Sequence, residues 1–168
     1  MELFCTFVQI YVKFGIMNWT CKYFDELTLR ELYEIGKLRQ EVFVLEQNCP
    51  YVDFDGRDPF CYHLMCFDEN NRLVAYSRIV PKGISYENYI SIGRVITSSA
   101  VRNSGIGRLL MIESIKACES IFGKVDIKIS AQTYLFKFYS SLEFESTGKE
   151  YLEDGIPHTE MIRSCIEC

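Results

Sequence analysis

The residues best suited to chemistry in this sequence lie in one short loop between a strand-like run and a helix-like pattern. The β-branched run consists of Val95, Ile96 and Thr97. The loop after it reads Arg102, Asn103, Ser104, Gly105, Ile106 and Gly107, with Arg108 next. The first turn of a helix leaves backbone N–H groups unpaired and carries partial positive charge, and glycines let a ligand approach the main chain. The loop therefore predicts an anion site that suits a phosphate or a pyrophosphate.

Two common nucleotide-binding motifs do not match this loop. A Walker A loop ends in Gly-Lys-Ser/Thr, whereas Gly107 is followed by Arg108 and Leu109, and a dinucleotide fingerprint needs a third glycine where Leu110 stands. The pattern R-x-x-G-x-G after a strand resembles instead the acetyl-CoA pyrophosphate loop of the GNAT superfamily of N-acetyltransferases. A plain strand-to-helix turn with a glycine start is the alternative.

A second motif in the right order strengthens this resemblance. Ala131 and Gln132 end a strand-like run, and the pattern L-x-x-F-Y-x-x-L-x-F follows from Leu135 to Phe144, as in the GNAT segment downstream of the CoA loop. The chain is also similar to the ElaA family of GNAT proteins in four stretches, Leu38 to Tyr51, Asp53 to Asp58, Gly93 to Val95 and Tyr151 to His158. The resemblance covers residues 18 to 164.

The resemblance implies that acetyl-CoA is the co-substrate. Main-chain N–H groups of the loop would hold the pyrophosphate, with Arg102 and Arg108 adding positive charge. The backbone from Val95 to Thr97 would receive the pantetheine amides and the acetyl carbonyl, with a backbone N–H near Ile96 stabilising the carbonyl oxygen. Gln132 and Phe138 would meet the CoA arm, and the alternative for Gln132 is a solvated helix cap.

The resemblance also suggests Tyr139 as a general acid that donates a proton to the departing CoA thiolate. A buried aromatic on an apolar helix face is the alternative. Because an alkyl amine with a pKa of about 10 arrives protonated, a base must remove a proton before the amine attacks the thioester. Glu46, His63 and His158 are the candidate bases, directly or through a water. A structural role is the alternative for each histidine.

An acidic loop follows the first predicted helix. Asp53, Asp55 and Asp58 would attract a cationic acceptor, or they belong to a solvated turn. Their D-x-D-x-x-D spacing lacks the rest of an EF-hand loop, and we expect no metal. Arg94 stands in an otherwise apolar strand and needs a partner, for which Glu46 and the acidic loop are the candidates.

The composition excludes several classes of protein. The net charge of −5 argues against a nucleic-acid partner, and 48% hydrophobic with 24% charged residues is typical of a globular protein. The eight cysteines are scattered, and the one CxxC, Cys165 to Cys168, has no second pair to close a zinc site. Reduced cysteines and a cytoplasmic location are therefore expected.

The pattern of elements predicts a mixed α/β (α+β) fold around one sheet. The resemblance implies the GNAT acyl-CoA N-acyltransferase fold, a central mixed sheet with a parallel pair of strands splayed around CoA. The predicted helices are 28 to the mid-forties, 105 to about 122 and 134 to 142. The predicted strands are 60 to 67, 73 to 80, 89 to 98, 125 to 131, 144 onward and 158 to 163. Because a helical crossover joins the strands at 92 to 98 and 125 to 131, we expect those two to lie parallel.

The domain organisation is one GNAT-like domain over residues 17 to 168, preceded by an apolar segment at 1 to 16. That segment lacks a basic region and a cleavage site, so it does not read as a signal peptide, and it is too short to span a bilayer. It is either an extension from an upstream start codon or an added edge strand or interface segment.

The expected function is direct transfer of an acetyl group from acetyl-CoA to a primary amine of a small molecule or a peptide. Nucleic-acid and membrane partners are not expected, and a homodimer stays open. Three alternatives remain: a CoA-binding regulatory module without turnover, an interaction protein that uses residues 1 to 16, and a transferase with a longer acyl donor.

Overall fold

The structure is a computed structural model that describes residues 8–12, 15–48 and 51–165. Its first strand, β1 (Val8–Val12), pairs antiparallel with β2 (Gly15–Tyr23) and forms the edge of a sheet. This part of the apolar amino-terminal segment is thus an edge strand. Residues 1–7, 13 and 14 of the predicted extension lie outside the described residues, as do Cys49, Pro50 and residues 166–168, whereas Gly15 and Ile16 belong to β2.

The first helix, α1 (Leu29–Arg39), begins at the predicted capping box. The Thr28 hydroxyl accepts a hydrogen bond from the Glu31 N–H at 3.2 Å, and the Glu31 carboxylate accepts one from the Thr28 N–H at 2.8 Å. The chain continues as a π-helix (Gln40–Glu46), so the predicted end in the mid-forties is confirmed. π-Helices are rare in proteins, and many of those that occur lie at functional sites.

The central layer is a five-stranded antiparallel sheet in the order β1-β2-β3-β4-β5. It adds β3 (Tyr62–Phe67), β4 (Leu73–Val80) and β5 (Ser91–Thr97) to the first two strands. Met65 and Tyr76 pack with α1 on one face, while the alternating residues Leu64 and Cys66 pack in the core cluster on the other. Every residue of β4 is buried because both faces of the sheet are covered.

The second half begins with α2 (Ile106–Phe122), which has Gly105 at its N-cap and Gly123 at its C-cap and packs on β4 and β5. After it come β6 (Ile127–Gln132), a 3₁₀ turn, and α3 (Phe136–Ser140). The last two strands are β7 (Glu145–Glu153) and β8 (Ile156–Arg163). No helix among the described residues is long and apolar enough to cross a membrane.

The predicted mixed α/β fold is confirmed, but the single sheet is divided in two. β6, β8 and β7 form a separate three-stranded antiparallel sheet. Among the described residues, β5 and β6 are linked by one parallel bridge, Ile90 to Ile127, where the Lys128 N–H donates to the Ile90 carbonyl at 3.0 Å. Beyond it each strand pairs with its own sheet, so the two parallel strands separate toward their carboxyl ends.

Candidate active site

A cleft opens where β5 and β6 separate, and its cavity volume is about 620 Å³. Val95, Gln132, Tyr139 and His158 are among its lining residues and come from four different elements. These are four of the residues that the sequence suggested for cofactor binding or catalysis. The cleft lies at the carboxyl ends of parallel strands, where ligands of α/β folds commonly bind.

The β5 wall of the cleft contains a β-bulge. Gly93 pairs with Arg78 and Ile96 pairs with Tyr76, so two residues of β5 stand opposite the single residue between Arg78 and Tyr76. Those two residues are Arg94, which has a φ of +52°, and Val95. A bulge leaves its extra residue out of the hydrogen-bond ladder. Gly93, Arg94 and Val95 all line the cleft, so the bulge forms part of its wall.

The side chains of this part of β5 divide between core and cleft. Ile96 is buried with α1 and β4, as expected, whereas Val95 packs against the core and also lines the cleft. Thr97 contributes its carbonyl oxygen to a hydrogen bond from the Arg102 guanidinium at 3.2 Å.

The glycine loop starts α2 with an open surface above it. Gly105 has a φ of +88° and, lacking a side chain, leaves the first helical turn without a side-chain cap. Asn103 also has a positive φ, +59°. A Cβ built on Gly105 or Gly107 would meet no atom of the described residues within 4 Å. A ligand can therefore reach the N–H groups of this turn, which fits an anion such as a pyrophosphate.

Three polar side chains at the loop, those of Arg102, Ser104 and Arg108, already have partners. Arg102 forms an ion pair with Glu46 of the π-helix, and Arg108 donates to the Ser141 hydroxyl at 2.6 Å and to the Ser141 carbonyl at 3.2 Å. The Ser104 hydroxyl donates to the Val101 carbonyl. Both arginines lie at the loop as expected, but an incoming anion has to compete with Glu46 for Arg102.

Tyr139 lies on the opposite wall, in α3. Its side chain packs edge-on against Phe138 and Phe144, with ring centroids 5.1 and 6.0 Å away. Burial, with a smaller contribution from nearby Tyr134, raises the pKa of Tyr139 to about 12. The phenol is therefore neutral and able to donate. Phe138 is half-buried and packs against the core behind Tyr139 rather than lining the cleft.

Gln132 ends β6 and faces across the cleft. Its amide donates to the Gln47 side-chain oxygen at 3.5 Å, which links β6 to the end of the π-helix. Gln132 also lines the cavity, next to the turn into α3. This position fits a contact with a ligand that lies between the two parallel strands.

The two histidines have different surroundings. His63 is fully buried, with Nε2 3.1 Å from the Asp58 carbonyl and Nδ1 2.8 Å from the Tyr76 hydroxyl. Because a carbonyl only accepts, Nε2 carries the proton and Nδ1 accepts from Tyr76. Burial is the main cause that lowers the pKa of His63. His63 is thus a neutral structural residue outside the cleft.

His158 lines the cleft, and only one of its ring nitrogens has a partner among the described residues. Its Nδ1 donates to the Ile156 carbonyl at 2.8 Å, and its ring stacks on Tyr151 with centroids 6.1 Å apart. Within the described part of the chain, Nε2 has no hydrogen-bond partner. The neutral tautomer with a proton on Nδ1 therefore leaves Nε2 as an acceptor that a substrate proton or a water can use.

The acidic loop is held by three arginines from three different elements. Asp53 binds Arg39 at 2.5 Å and Arg94 at 2.6 Å. Asp58 binds Arg39 at 2.8 Å and Arg78 at 2.9 Å. Asp55 closes the ring, with distances of 2.7 Å to Arg78 and 3.4 Å to Arg94. We call these six residues the ionic ring.

The ionic ring corrects both alternatives for the acidic loop, attraction of a cationic acceptor and a solvated turn, because Asp53 and Asp58 are buried. Burial would raise the pKa of Asp58, but hydrogen bonds and charge from Arg39 and Arg78 lower it below its ordinary value. The ring holds three cations and three anions, so its aspartates carry no net attraction for a cationic acceptor. No group of three or more metal-ligating residues is formed in the described chain. Arg94 has its partners in the acidic loop, as one alternative had it, whereas Glu46 pairs with Arg102.

Sequence reasoning missed Arg39 and Arg78 as members of this site. Both carried a usable signal, since Arg39 follows Leu38 on the buried face of α1 and Arg78 stands inside the apolar run of β4. A buried cation requires an anionic partner. The acidic loop was the obvious source of such partners.

The chain belongs to the GNAT acetyltransferase family, because the family described as "Acetyltransferase (GNAT) domain" matches residues 60–165. Within that family it is a homologue of ElaA. Protein ElaA of Escherichia coli is 38% identical over 154 residues, which cover 90% of this chain and 99% of ElaA. Both parts of the resemblance seen in the sequence are confirmed.

Solved structures agree with this assignment. An acyl-CoA N-acyltransferase from Pseudomonas aeruginosa is 41% identical, with a TM-score of 0.83 over 88% of this chain and 99% of that one. The crystal structure of Escherichia coli ElaA gives 37% identity and a TM-score of 0.82 over 88% and 99%. An aminoglycoside 6'-N-acetyltransferase complexed with coenzyme A shares the fold alone, at 15% identity and a TM-score of 0.65 over 88% and 98%. The family supports an acyltransferase that uses an acyl-CoA donor.

Proposed function

We propose that this protein transfers an acetyl group from acetyl-CoA directly to a primary amine of a small molecule or a peptide. One observation carries the proposal. The bulge of β5 and the ring of His158 line one cleft, and the glycine loop is linked to the carboxyl end of β5 by the Arg102 bond to the Thr97 carbonyl, so a donor held on the loop can extend along β5 into that cleft. A GNAT relative of known structure is complexed with coenzyme A, which supports an acyl-CoA donor.

The donor would bind along the loop and β5. The N–H groups around Gly105 and Gly107 would hold the pyrophosphate, with Arg108 nearby and Arg102 exchanging Glu46 for a phosphate. The pantetheine arm would lie between β5 and Gln132. Phe138 would act from behind, by supporting Tyr139.

The transfer is a direct nucleophilic substitution. The amine nitrogen attacks the thioester carbon, its surplus proton leaves to a base, and the C–S bond breaks to release the CoA thiolate. The oxygen that becomes negative in between would be stabilised by the bulge N–H groups near Ile96, which is the largest contribution that protein groups usually make to such a step.

Tyr139 would support the leaving group as a hydrogen-bond donor. Burial raises the pKa of Tyr139 to about 12, which makes the phenol a weaker acid than a thiol with its ordinary pKa of about 8.5, so complete proton transfer from Tyr139 to the thiolate is unfavourable. A neutral phenol can still donate a hydrogen bond to the sulfur. The proton that the thiolate finally receives would come from the amine.

His158 is our candidate for the base. Its Nδ1 bond to the Ile156 carbonyl orients the ring, and Nε2 is left to accept a proton directly or through a water. The two other candidates are engaged elsewhere, His63 with both ring nitrogens and Glu46 with Arg102.

We further propose a cytoplasmic protein with a single catalytic domain at residues 17 to 168. The described free thiols Cys61, Cys66 and Cys118 are buried, and burial raises the pKa of Cys66 to about 12. Unpaired and unreactive cysteines of this kind suit a reducing compartment.

The test is thiol release from acetyl-CoA with polyamines, amino acids and peptide amino termini, combined with calorimetric binding of acetyl-CoA. Gly105→Glu should abolish binding by placing a carboxylate above the loop. Gly148→Glu is the control, because Gly148 has a similar φ of +83° with open space around it in the described structure and lies in β7, away from the loop.

Three results would refute or redirect the proposal. Equal binding by the two glycine variants would refute the loop assignment. Binding without thiol release from any amine would favour the regulatory module. Faster release from a longer acyl-CoA would replace the acetyl donor.

A further inference from the structure

The bulge in β5 is centred on a residue that is poorly suited to it. Arg94 has a φ of +52°, in the left-handed region that residues other than glycine rarely occupy. Its neighbour Val95 lines the cleft, and Gly93 beside it has an ordinary negative φ. The positive φ therefore falls on Arg94, although the neighbouring Gly93 is the residue that could adopt it without steric cost.

The Arg94 side chain is clamped on several sides. Its Nε donates to the Asp53 carboxylate at 2.6 Å, and its Nη2 lies 3.4 Å from both the Asp53 carbonyl and the Asp55 carboxylate. The rings of Phe43 and Tyr51 lie 5.8 and 5.6 Å from the guanidinium carbon. These contacts fix the direction of the side chain and, through it, the backbone at the bulge.

The clamp is anchored deep in the fold. Asp53 is held by Arg39 of α1, whose side chain is 1% exposed, and the ring closes through Arg78 of β4 at 3%. Buried ion pairs contribute little net stability. The Oδ2 atom of Asp58 and the Nε atom of Arg78 also lack hydrogen-bond partners among the described residues. A role in fixing geometry explains this ring better than a contribution to stability does.

We propose that the ionic ring holds Arg94 in its left-handed conformation and thereby positions the bulge N–H groups that bind the acyl carbonyl. Arg94, Asp53 and Arg39 are positioning residues in this scheme, which rests on the proposed function. Arg94 does not bind the acceptor as a free cation, because its charge is already compensated by Asp53 and Asp55.

The test compares three substitutions of Arg94. R94A loses the clamp and keeps the steric penalty of a side chain. R94G loses the clamp but adopts a positive φ without penalty. R94K keeps the positive charge but neither the planar fork nor the freedom of glycine. If Arg94 positions the bulge, the carbonyl contact and the turnover lost in R94A should return in R94G but not in R94K. If Arg94 contacts the acceptor through its charge, R94K should retain turnover and R94G should not.

The first measurement needs no turnover. The amide ¹H–¹⁵N chemical shifts of Val95 and Ile96 are recorded with acetyl-CoA and with CoA, which lacks the acetyl carbonyl. We expect a shift difference between the two ligands in the native protein and in R94G, and its loss in R94A and R94K. Identical shifts for both ligands in the native protein, with the loop amides responding, would overturn this inference alone. No response of the loop amides to acetyl-CoA would overturn the proposed function.

The second measurement uses acetyl-CoA and whichever amine gives thiol release. We expect R94A to lower kcat about tenfold, equivalent to about 1.4 kcal/mol, with little change in the KM for acetyl-CoA. R94G should recover most of that loss. Thermal unfolding of each variant provides the control. If kcat follows stability across all three variants, Arg94 is merely structural and the inference is wrong.

Discussion

Replacing Glu46 by Gln should tighten the binding of CoA. The Glu46 carboxylate holds the Arg102 guanidinium at the edge of the glycine loop, where a pyrophosphate would need it. An amide keeps the shape of the side chain and removes its charge. Arg102 then becomes available to the ligand without first leaving an anion.

The size of the effect follows from the exposure of the pair. The side chains of Arg102 and Glu46 are 40% and 37% exposed, so this is a surface ion pair. Such pairs contribute about 0.2–1 kcal/mol, which corresponds to a gain of about 1.4- to 5-fold in affinity when the competition is removed. The gain should shrink at high ionic strength because salt screens exposed charges.

Isothermal titration calorimetry with CoA at low and high salt measures this effect. Glu41→Gln is the matched control, since Glu41 also belongs to the π-helix but lies 4.0 Å from Lys37 instead of near the loop. Weaker CoA binding by E46Q would refute the reasoning, because Glu46 would then orient Arg102 for the ligand. A large fall in kcat with unchanged affinity would instead restore Glu46 as a base.

Four further substitutions test the site and the ring. Tyr139→Phe should lower kcat by up to about tenfold and leave CoA affinity unchanged, the effect of one lost hydrogen bond; equal rates would remove Tyr139 from the mechanism. His158→Gln should lower kcat at least about tenfold with little change in CoA affinity, because it removes the ring nitrogen proposed to accept the proton of the amine, and an unchanged kcat would exclude His158 as the base. Arg39→Met should lower the free energy of unfolding by about 3–5 kcal/mol in urea titrations, because it removes one partner each from Asp53 and Asp58 and leaves three carboxylates of the ionic ring with two arginines; a neutral result would contradict the ring as a compensated buried charge cluster. Burial would raise the pKa of Asp55, but Arg78 and Arg94 lower it. Asp55 therefore adds stability above its unfolded pKa of about 4, and this stability is lost as pH falls below that value. Asp55→Asn should make the free energy of unfolding depend less on pH in the acidic range, and an unchanged dependence would contradict this.

Local patterns in the sequence predicted most elements of the fold. The capping box at Thr28 marks the start of α1, and Gly105 marks the start of α2 within one residue. The hairpin of β3 and β4 also lies where alternation and turn residues indicated it. Such signals depend on residues within about four positions of each other, which is why one sequence is enough to detect them.

The division of the sheet was not predictable in this way. The strands around 92 to 98 and 125 to 131 both read as apolar runs. Whether two such strands stay paired depends on which other strands compete for their edges. Pairing of Gln132 with His158 and of Ile96 with Tyr76 draws the two strands into different sheets. The cleft results from that competition.

The sequence by itself determined the family, the glycine loop and the residue types available for catalysis. Only the tertiary structure decided their roles. His63 and His158 look alike in the sequence, but packing of the described residues surrounds one with partners and leaves the other a nitrogen that none of them binds in the cleft. The sequence suggested that the aspartates of the acidic loop attract a cationic acceptor. In the fold, the charge of Asp53 is instead compensated by Arg39 and Arg94, which lie 14 and 41 positions away in the chain. The role of a charge depends on what folding brings beside it, and that is a property of the whole chain.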